Sequence, residues 1–192
     1  MKKNNFVKRA LIALTFAVAV AVMVPATNSI EAQAAKKVTA QKTFKKAKSV
    51  KTGTTTVTVK KRPANTNYND AYVKFKAPKA GKYVFTVSSL KLKGQNPATS
   101  TACGFFHLGK LSSSGKYIDI QKLKTAGGKT TYMQIGTKTM YEYSVRNKLK
   151  KIDQYLTSRS ATISLKKGET VYLNIICTTS QQYTYKLKVK RK

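Results

Sequence analysis

From residue 54 onward the chain alternates apolar and polar positions with a period of two, the mark of strands with one buried face. Residues 54–60, Thr-Thr-Thr-Val-Thr-Val-Lys, are β-branched almost throughout and predict a first strand, which the Pro- and Asn-bearing residues 62–69 end. Residues 71–77 set Val73, Phe75 and Ala77 on one face and Tyr72, Lys74 and Lys76 on the other. Pro78 to Gly81 predict a turn, and residues 83–90 its hairpin partner, with Tyr83, Phe85 and Val87 toward the core. Residues 101–108 and 117–123 predict a further pair, joined by the Gly- and Ser-rich residues 109–115, and residues 130–135 add a strand.

Between residues 137 and 158 two patterns compete. Gly136-Thr137-Lys138 can turn the chain into a strand over 140–145, which is the preferred reading, followed by a short helical or irregular crossover. The other reading takes Thr139 to Glu142 as a capping box, with Tyr141, Val145, Leu149, Ile152 and Leu156 on one helical face. The C-terminal part is plainer: a strand over 161–165, a turn over 166–169, a nearly apolar strand over 170–177 suited to the middle of a sheet, and a last strand over 183–190. In that last strand Tyr185, Leu187 and Val189 face inward and Lys186, Lys188 and Lys190 outward. About eight or nine short strands with regular turns, and no repeated strand-helix units, predict an all-β antiparallel sandwich over residues 54–192.

The first residues belong to a different pattern. Lys2, Lys3, Lys8 and Arg9 precede an apolar run over 10–24, and Ala32-Gln33-Ala34 ends the stretch with small residues. This is the layout of a secretory signal peptide over 1–34, cleaved before Ala35; an uncleaved anchor is the alternative, but the run is short of the roughly 20 apolar residues a spanning helix needs. Residues 35–53, rich in Lys, Thr, Ala and Ser, are expected to be a basic linker or loosely held arm.

Charge changes the picture most. The 192-residue chain has 38 Lys and Arg against six Asp and Glu, a net +32, and residues 35–192 keep 34 bases and five acids, a net +29. Eleven Tyr and seven Phe make a folded core feasible despite the self-repulsion. A net charge this far beyond what solubility asks predicts attraction to polyanions. The candidate contacts are the outward rows Lys74 with Lys76, and Lys186 with Lys188 and Lys190, and the separate cluster Arg146, Lys148, Lys150 and Lys151.

Reactive constellations are missing from the pattern. His107 follows Cys103 by four residues, about 13 Å apart along one strand face, too far for a nucleophile and its base. The acids Asp70, Asp119, Glu142, Asp153 and Glu169 are scattered singly, and neither zinc spacing nor a phosphate loop is present, so no catalytic residue, metal or cofactor is expected. Cys103 and Cys177 have two readings: a disulfide formed outside the cytosol, or two buried thiols.

The order of pieces resembles bacterial prepeptidase C-terminal domains. Residues 71–87, Ala-Tyr-Val-Lys-Phe-Lys-Ala-Pro-Lys-Ala-Gly-Lys-Tyr-Val-Phe-Thr-Val, are similar to that family's opening hairpin, residues 161–175 to its penultimate hairpin and residues 183–189 to its last strand. Phe105 to Leu108, followed by Ser113 to Lys116, matches its middle portion. The resemblance implies a jelly-roll-like sandwich carried on secreted proteins, serving attachment or polymer binding without catalysis. Thr101-Ala102-Cys103-Gly104 stands where the family often has acids, which weakens any inherited cation site.

The expected function is a secreted, non-catalytic binding module, extracellular and associated with the cell wall, that adsorbs to an anionic wall polymer or glycan. The alternative is a cationic effector acting on membranes through residues 140–156, which leaves room for peripheral membrane contact; a hydrolase with an unrecognised site comes third. Specific nucleic-acid recognition is not expected, since no such motif accompanies the charge.

Overall fold

A computed structural model describes residues 36–63, 71–120, 123–125, 128–130 and 132–192, with only the backbone of 123–125 and 128–130. The expected signal peptide and the segment holding Asp70 lie outside the described residues. Among the described residues thirteen strands pack as two sheets, with one α-helix. The seven-stranded sheet runs β1 (Lys36–Thr39), β3 (Gly53–Val59), β13 (Tyr183–Arg191), β5 (Gly81–Leu92), β11 (Ser158–Leu165), β8 (Leu123–Thr125), β9 (Gly128–Thr130). The six-stranded sheet runs β10 (Met133–Gly136), β6 (Cys103–Leu111), β12 (Thr170–Cys177), β4 (Ala71–Lys76), β2 (Lys48–Val50), with β7 (Tyr117–Asp119) also paired to β6. The architecture is the expected all-β sandwich.

The alternation puts the expected residues inside. Val73, Phe75 and Ala77 from one sheet meet Tyr83, Phe85, Val87, Tyr185, Leu187 and Val189 from the other, all buried. Phe75 packs across the core at 5.1 Å from Tyr83 and 5.6 Å from Phe85, ring centroid to ring centroid. At roughly 1.5–3 kcal/mol for each large apolar side chain removed from water, this double row is what holds the sheets together.

Connectivity corrects the sequence reading. The two segments expected to be hairpins, 71–90 and 161–177, are arches. β4 pairs with β12 and β2, and β5 with β11 and β13, so the chain crosses from one sheet to the other at residues 78–80. β11 and β12 likewise lie in different sheets. A strand-turn-strand text does not distinguish the two outcomes, because both need apolar alternation and a tight turn; the long-range partners decide. The two arches lie against each other, with the Ala77 amide donating to the Glu169 carbonyl at 2.9 Å and the Gly168 amide to Ala77 at 2.8 Å.

Residues 36–50 are not a loose arm. β1 runs parallel to β3 and β2 parallel to β4, one on each sheet, so the sandwich is mixed rather than wholly antiparallel. Between them the chain spans from one sheet to the other: the Ala40 amide donates to Thr58 at 2.9 Å, and Gln41 and Tyr72 exchange backbone bonds of 3.0 and 2.8 Å. Ala40, Ala47 and Val50 are buried there. These short edge strands, with the small pieces β8 and β9, account for the excess over eight or nine, while β7 pairs with β6 as expected of 117–123 with 101–108.

Two local devices also escaped the alternation. Ser89, at φ 57°, forms a bulge in β5, which moves the inward positions from Tyr83, Phe85 and Val87 to Leu90 and Leu92. Residues 138–146 form a helix, α1 (Lys138–Arg146), instead of the preferred strand over 140–145. It is shorter than the alternative helical reading, its N-cap is Thr137 rather than Thr139, and only Ser144 is buried. The Thr137 hydroxyl donates to the Ser100 carbonyl at 2.7 Å instead of capping the helix. The buried Arg159 fastens the return to β11, donating from Nε to the Gln134 carbonyl at 3.1 Å and from Nη2 to that of Gln154 at 3.2 Å.

Candidate binding faces

The cation positions read from the sequence divide among three places. Lys186, Lys188 and Lys190 stand together on the outer face of the seven-stranded sheet. Their ladder partners are Thr56 and Ser88 for Lys186, Thr54 and Thr86 for Lys188, and Val84 for Lys190. Successive ammonium stems are thus about 6.6 Å apart along the strand, with hydroxyl side chains about 4.8 Å to either side of Lys186 and Lys188. Thr86 and Ser160 share a hydroxyl-to-hydroxyl contact of 2.7 Å, which orders part of this lattice.

The same face holds cations that the sequence reading missed. Lys82 and Lys91 project outward from β5, opposite Ser164 and Thr184, and Lys37 lies opposite Thr56 on β1. Lys82 was legible as the outward partner of Tyr83 in the alternation; Lys37 was hidden in the presumed arm and Lys91 behind the bulge. Among the described acids, Asp119, Glu142, Asp153 and Glu169 all lie elsewhere, in β7, α1, the crossover and the 166–169 turn.

Lys74 and Lys76 lie on the other sheet and join no stripe with β13. Lys74 is half-buried on the outer face of β4, beside Ser49 and Tyr172. That face is aromatic. Phe44, from the short 3-10 turn Phe44–Lys46, lies over it with ring-centroid distances of 6.3 Å to Tyr72, 6.1 Å to Tyr117 and 6.2 Å to Tyr172. Tyr117 sits directly over Gly109, where a Cβ would fall 2.3 Å from the ring. Burial raises the Tyr117 phenol well above its usual range, and the negative charge of the nearby Asp119 adds to this.

The third place is the end of α1. Arg146, Lys148, Lys150 and Lys151 are exposed there, with exposed Tyr141, Tyr143, Val145 and Ile152 among them. The expected helical face therefore turns Tyr141 and Val145 to solvent instead of into the core.

No nucleophile pair is assembled around Cys103. Its Sγ is 3.6 Å from the Thr178 hydroxyl, and burial raises its pKa against the lowering effect of that contact. His107 instead has Nδ1 3.4 Å from Asp119 Oδ2 and its ring centroid 5.4 Å from that of Tyr132. No spacing along the chain points to this His-Asp contact, which the β6–β7 hairpin creates.

The disulfide reading does not fit the register. Cys177 lies opposite Gly104, so Cys103, one residue along, projects from the other face of the sheet, and both are free thiols. Cys177 faces the core, where burial pushes its thiol up to about 12. Among the described residues, no three His, Cys, Asp or Glu cluster as metal ligands, and no helix is long and apolar enough to cross a membrane.

Fold and faces together define a mostly antiparallel two-sheet sandwich with one lysine-hydroxyl face and one aromatic face. Comparison with solved structures finds similarity to the pre-peptidase C-terminal domain of a collagenase from Bacillus anthracis, at 15% identity and TM-score 0.36, covering 75% of this chain and 94% of that one. It also finds similarity to CorA, a surface-associated copper-binding protein of Methylomicrobium album BG8, at 8% identity and TM-score 0.38, covering 80% and 100%. No protein-family model and no curated protein sequence matches the chain.

Proposed function

We propose that the protein is a secreted, non-catalytic module that adsorbs to anionic polymers of the cell envelope or its surroundings through the outer face of the seven-stranded sheet. The observation that carries this reading is the lattice of Lys37, Lys82, Lys91, Lys186, Lys188 and Lys190 among threonine and serine hydroxyls, with the described acids placed elsewhere. An array of point charges on a flat sheet suits a linear polymer, whose repeated anions meet several ammonium groups at once while the hydroxyls share the remaining acceptor oxygens. Such binding releases counterions and weakens steeply with salt. Retention of the purified protein on an immobilised phosphate or uronate polymer, measured across a salt series, tests it: the reading requires affinity to fall linearly with salt on logarithmic axes, and retention that ignores salt overturns it.

A second reading, contact with an anionic membrane surface, is favoured by one observation. Tyr141, Tyr143, Val145 and Ile152 are exposed beside Arg146, Lys148, Lys150 and Lys151, and apolar tips ringed by cations suit the headgroup layer. Cosedimentation with anionic but not zwitterionic vesicles, abolished by Val145→Ser with Tyr143→Ser, distinguishes this from adsorption through β13.

A further inference from the structure

Where the chain passes from β1 to β2 it walls a cavity of about 380 Å3 against the end of β3 and the start of β4. Lys42 and Lys46 line it from one side and Lys60 and Arg62 from the other, over a floor that includes Val59 and Ala71. We propose that this cavity is a binding site for a phosphate group carried on a small polyol or sugar. The site rests on the reading above, and gives the module a pocket for a single end group or side group of the polymer whose length lies along the lysine face.

Three observations carry the assignment. The first is charge: four cationic residues line one concavity, and of the described acids, Asp119, Glu142, Asp153 and Glu169, none lines it. A concave site with low-dielectric walls focuses such a potential more than a flat face does.

The second is size and lining. A volume of about 380 Å3 falls within the range that encloses an organic ligand and is far more than a bare inorganic anion needs. Val59, Ala71 and Ala40 supply a floor for the C–H groups of a polyol, and Thr39, Gln41 and Thr43 supply polar groups at the rim. A lining of three lysines suits the dispersed oxygens of a phosphate; a planar carboxylate is matched best by a guanidinium fork, and only one is present.

The third is preorganisation. The walls are pinned by the Ala40-to-Thr58 bond of 2.9 Å, by the paired Gln41 and Tyr72 backbone bonds, and by the Arg62 amide donating to the Ser180 carbonyl at 3.0 Å. A wall already ordered before the ligand arrives spares the binding step that entropy. Lys60 and Arg62 make other contacts as well, so the exposed Lys42 and Lys46 are the side chains to remove.

The test is calorimetric titration of the purified full chain with glycerol phosphate, with glycerol, inorganic phosphate and glucuronate as separate probes. The expected result is saturable binding of glycerol phosphate, weaker binding of inorganic phosphate and glucuronate, and none of glycerol. Lys42→Gln with Lys46→Gln should weaken glycerol phosphate at least tenfold while leaving the thermal unfolding curve in place. Lys186→Gln, Lys188→Gln and Lys190→Gln together should leave glycerol phosphate binding unchanged. Glycerol phosphate binding that is absent, no tighter than that of inorganic phosphate, or indifferent to the Lys42 and Lys46 changes overturns the site. Failure of the wider reading shows separately, as polymer retention that does not respond to salt.

Discussion

The two outer faces of this sandwich come from strands with the same period and from neighbouring stretches of sequence, yet they are finished differently. On the seven-stranded sheet the outward positions of β13, β3, β5 and β11 carry lysine, threonine and serine, with Val84 the one apolar side chain among them, and the lysines stand exposed. On the six-stranded sheet two outward positions of β12, Tyr172 and Asn174, are each only 8% exposed: the rings of Phe44 and Tyr117 lie against Tyr172, and Tyr72 and His107 flank Asn174 on the neighbouring strands. One face is held ready for solvent and counter-charge, and the other is sealed as a second small core. Outward alternation therefore has no single meaning in this molecule: a lysine row is a surface to be used, and a tyrosine row is a surface to be covered.

The largest expected effect follows from the sealed face. Tyr172 is buried under Phe44 and Tyr117 at centroid distances of 6.2 and 6.5 Å, so Tyr172→Ala removes the keystone of that cluster. We expect a loss of about 3 kcal/mol, within the usual cost of deleting a buried aromatic side chain, read as a lower urea midpoint. A loss below about 0.5 kcal/mol would mean that the rings are surface decoration and that the two faces are alike after all.

Next in size is the effect of Lys186→Gln, Lys188→Gln and Lys190→Gln together. Binding to an anionic polymer at low salt should weaken about a hundredfold, and the slope of log affinity against log salt should shrink by about 3, one for each ammonium group removed. Stability should stay within about 0.5 kcal/mol, since exposed substitutions of this kind touch no core. The same triple measured against Tyr172→Ala separates the faces: one variant loses binding and keeps its fold, and the other loses stability.

How much of this was open to sequence reading depends on what each residue answers to. Val73, Phe75, Tyr83, Phe85, Tyr185, Leu187 and Val189 answer to the period of the backbone, and the alternation placed every one of them inside. The partners of their strands answer to residues far along the chain, so arches were taken for hairpins even though the turn at 78–81 was correctly placed. The edge strands β1 and β2 lie in lysine-rich text because an edge strand is exposed and short, and composition alone makes such a segment look like a linker. Lys186, Lys188 and Lys190 were found because they share one strand; Lys37, Lys82 and Lys91 were not, because a face assembles from strands that only the ladder register brings side by side. The contact of His107 with Asp119 depends on the β6–β7 pairing, and the exposed face of α1 on where Gly136 lets the helix sit, with Met140 and Tyr155 so close that a Cβ there would meet both within 2.9 Å.

Gly109 gives a smaller and more local way to sharpen the contrast. Its missing side chain is the seat of the Tyr117 ring, and Gly109→Ala forces the ring aside against Tyr72 and Phe44. The expected cost is about 1–3 kcal/mol, the usual range for overpacking, with unchanged polymer binding. Adding Tyr117→Ala to Gly109→Ala should cost less than the sum of the two single changes, because the ring is the object that the new methyl group strikes. Additive losses would show that Gly109 matters for another reason.

The smallest effect separates the faces by pH. Glu169 has its carboxyl held below the usual range by the Lys110 ammonium, at 2.5 Å, and by the Lys166 amide, at 2.7 Å. Since its folded pKa lies below its unfolded one, the contact stabilises the protein above the ordinary glutamate range, and that contribution is lost as pH falls through the folded value. The pair is partly exposed, so the step should amount to no more than a degree or two in Tm between pH 7 and pH 3, and Glu169→Gln should flatten it. The described acids lie away from the lysine lattice, so their titration over the same interval leaves it untouched. Binding to a sulfated polymer, which keeps its charge over that range, should therefore hold steady while the small stability step passes. A fall in binding that follows the Glu169 titration would place an acid within reach of the lattice and undo the separation of the two faces.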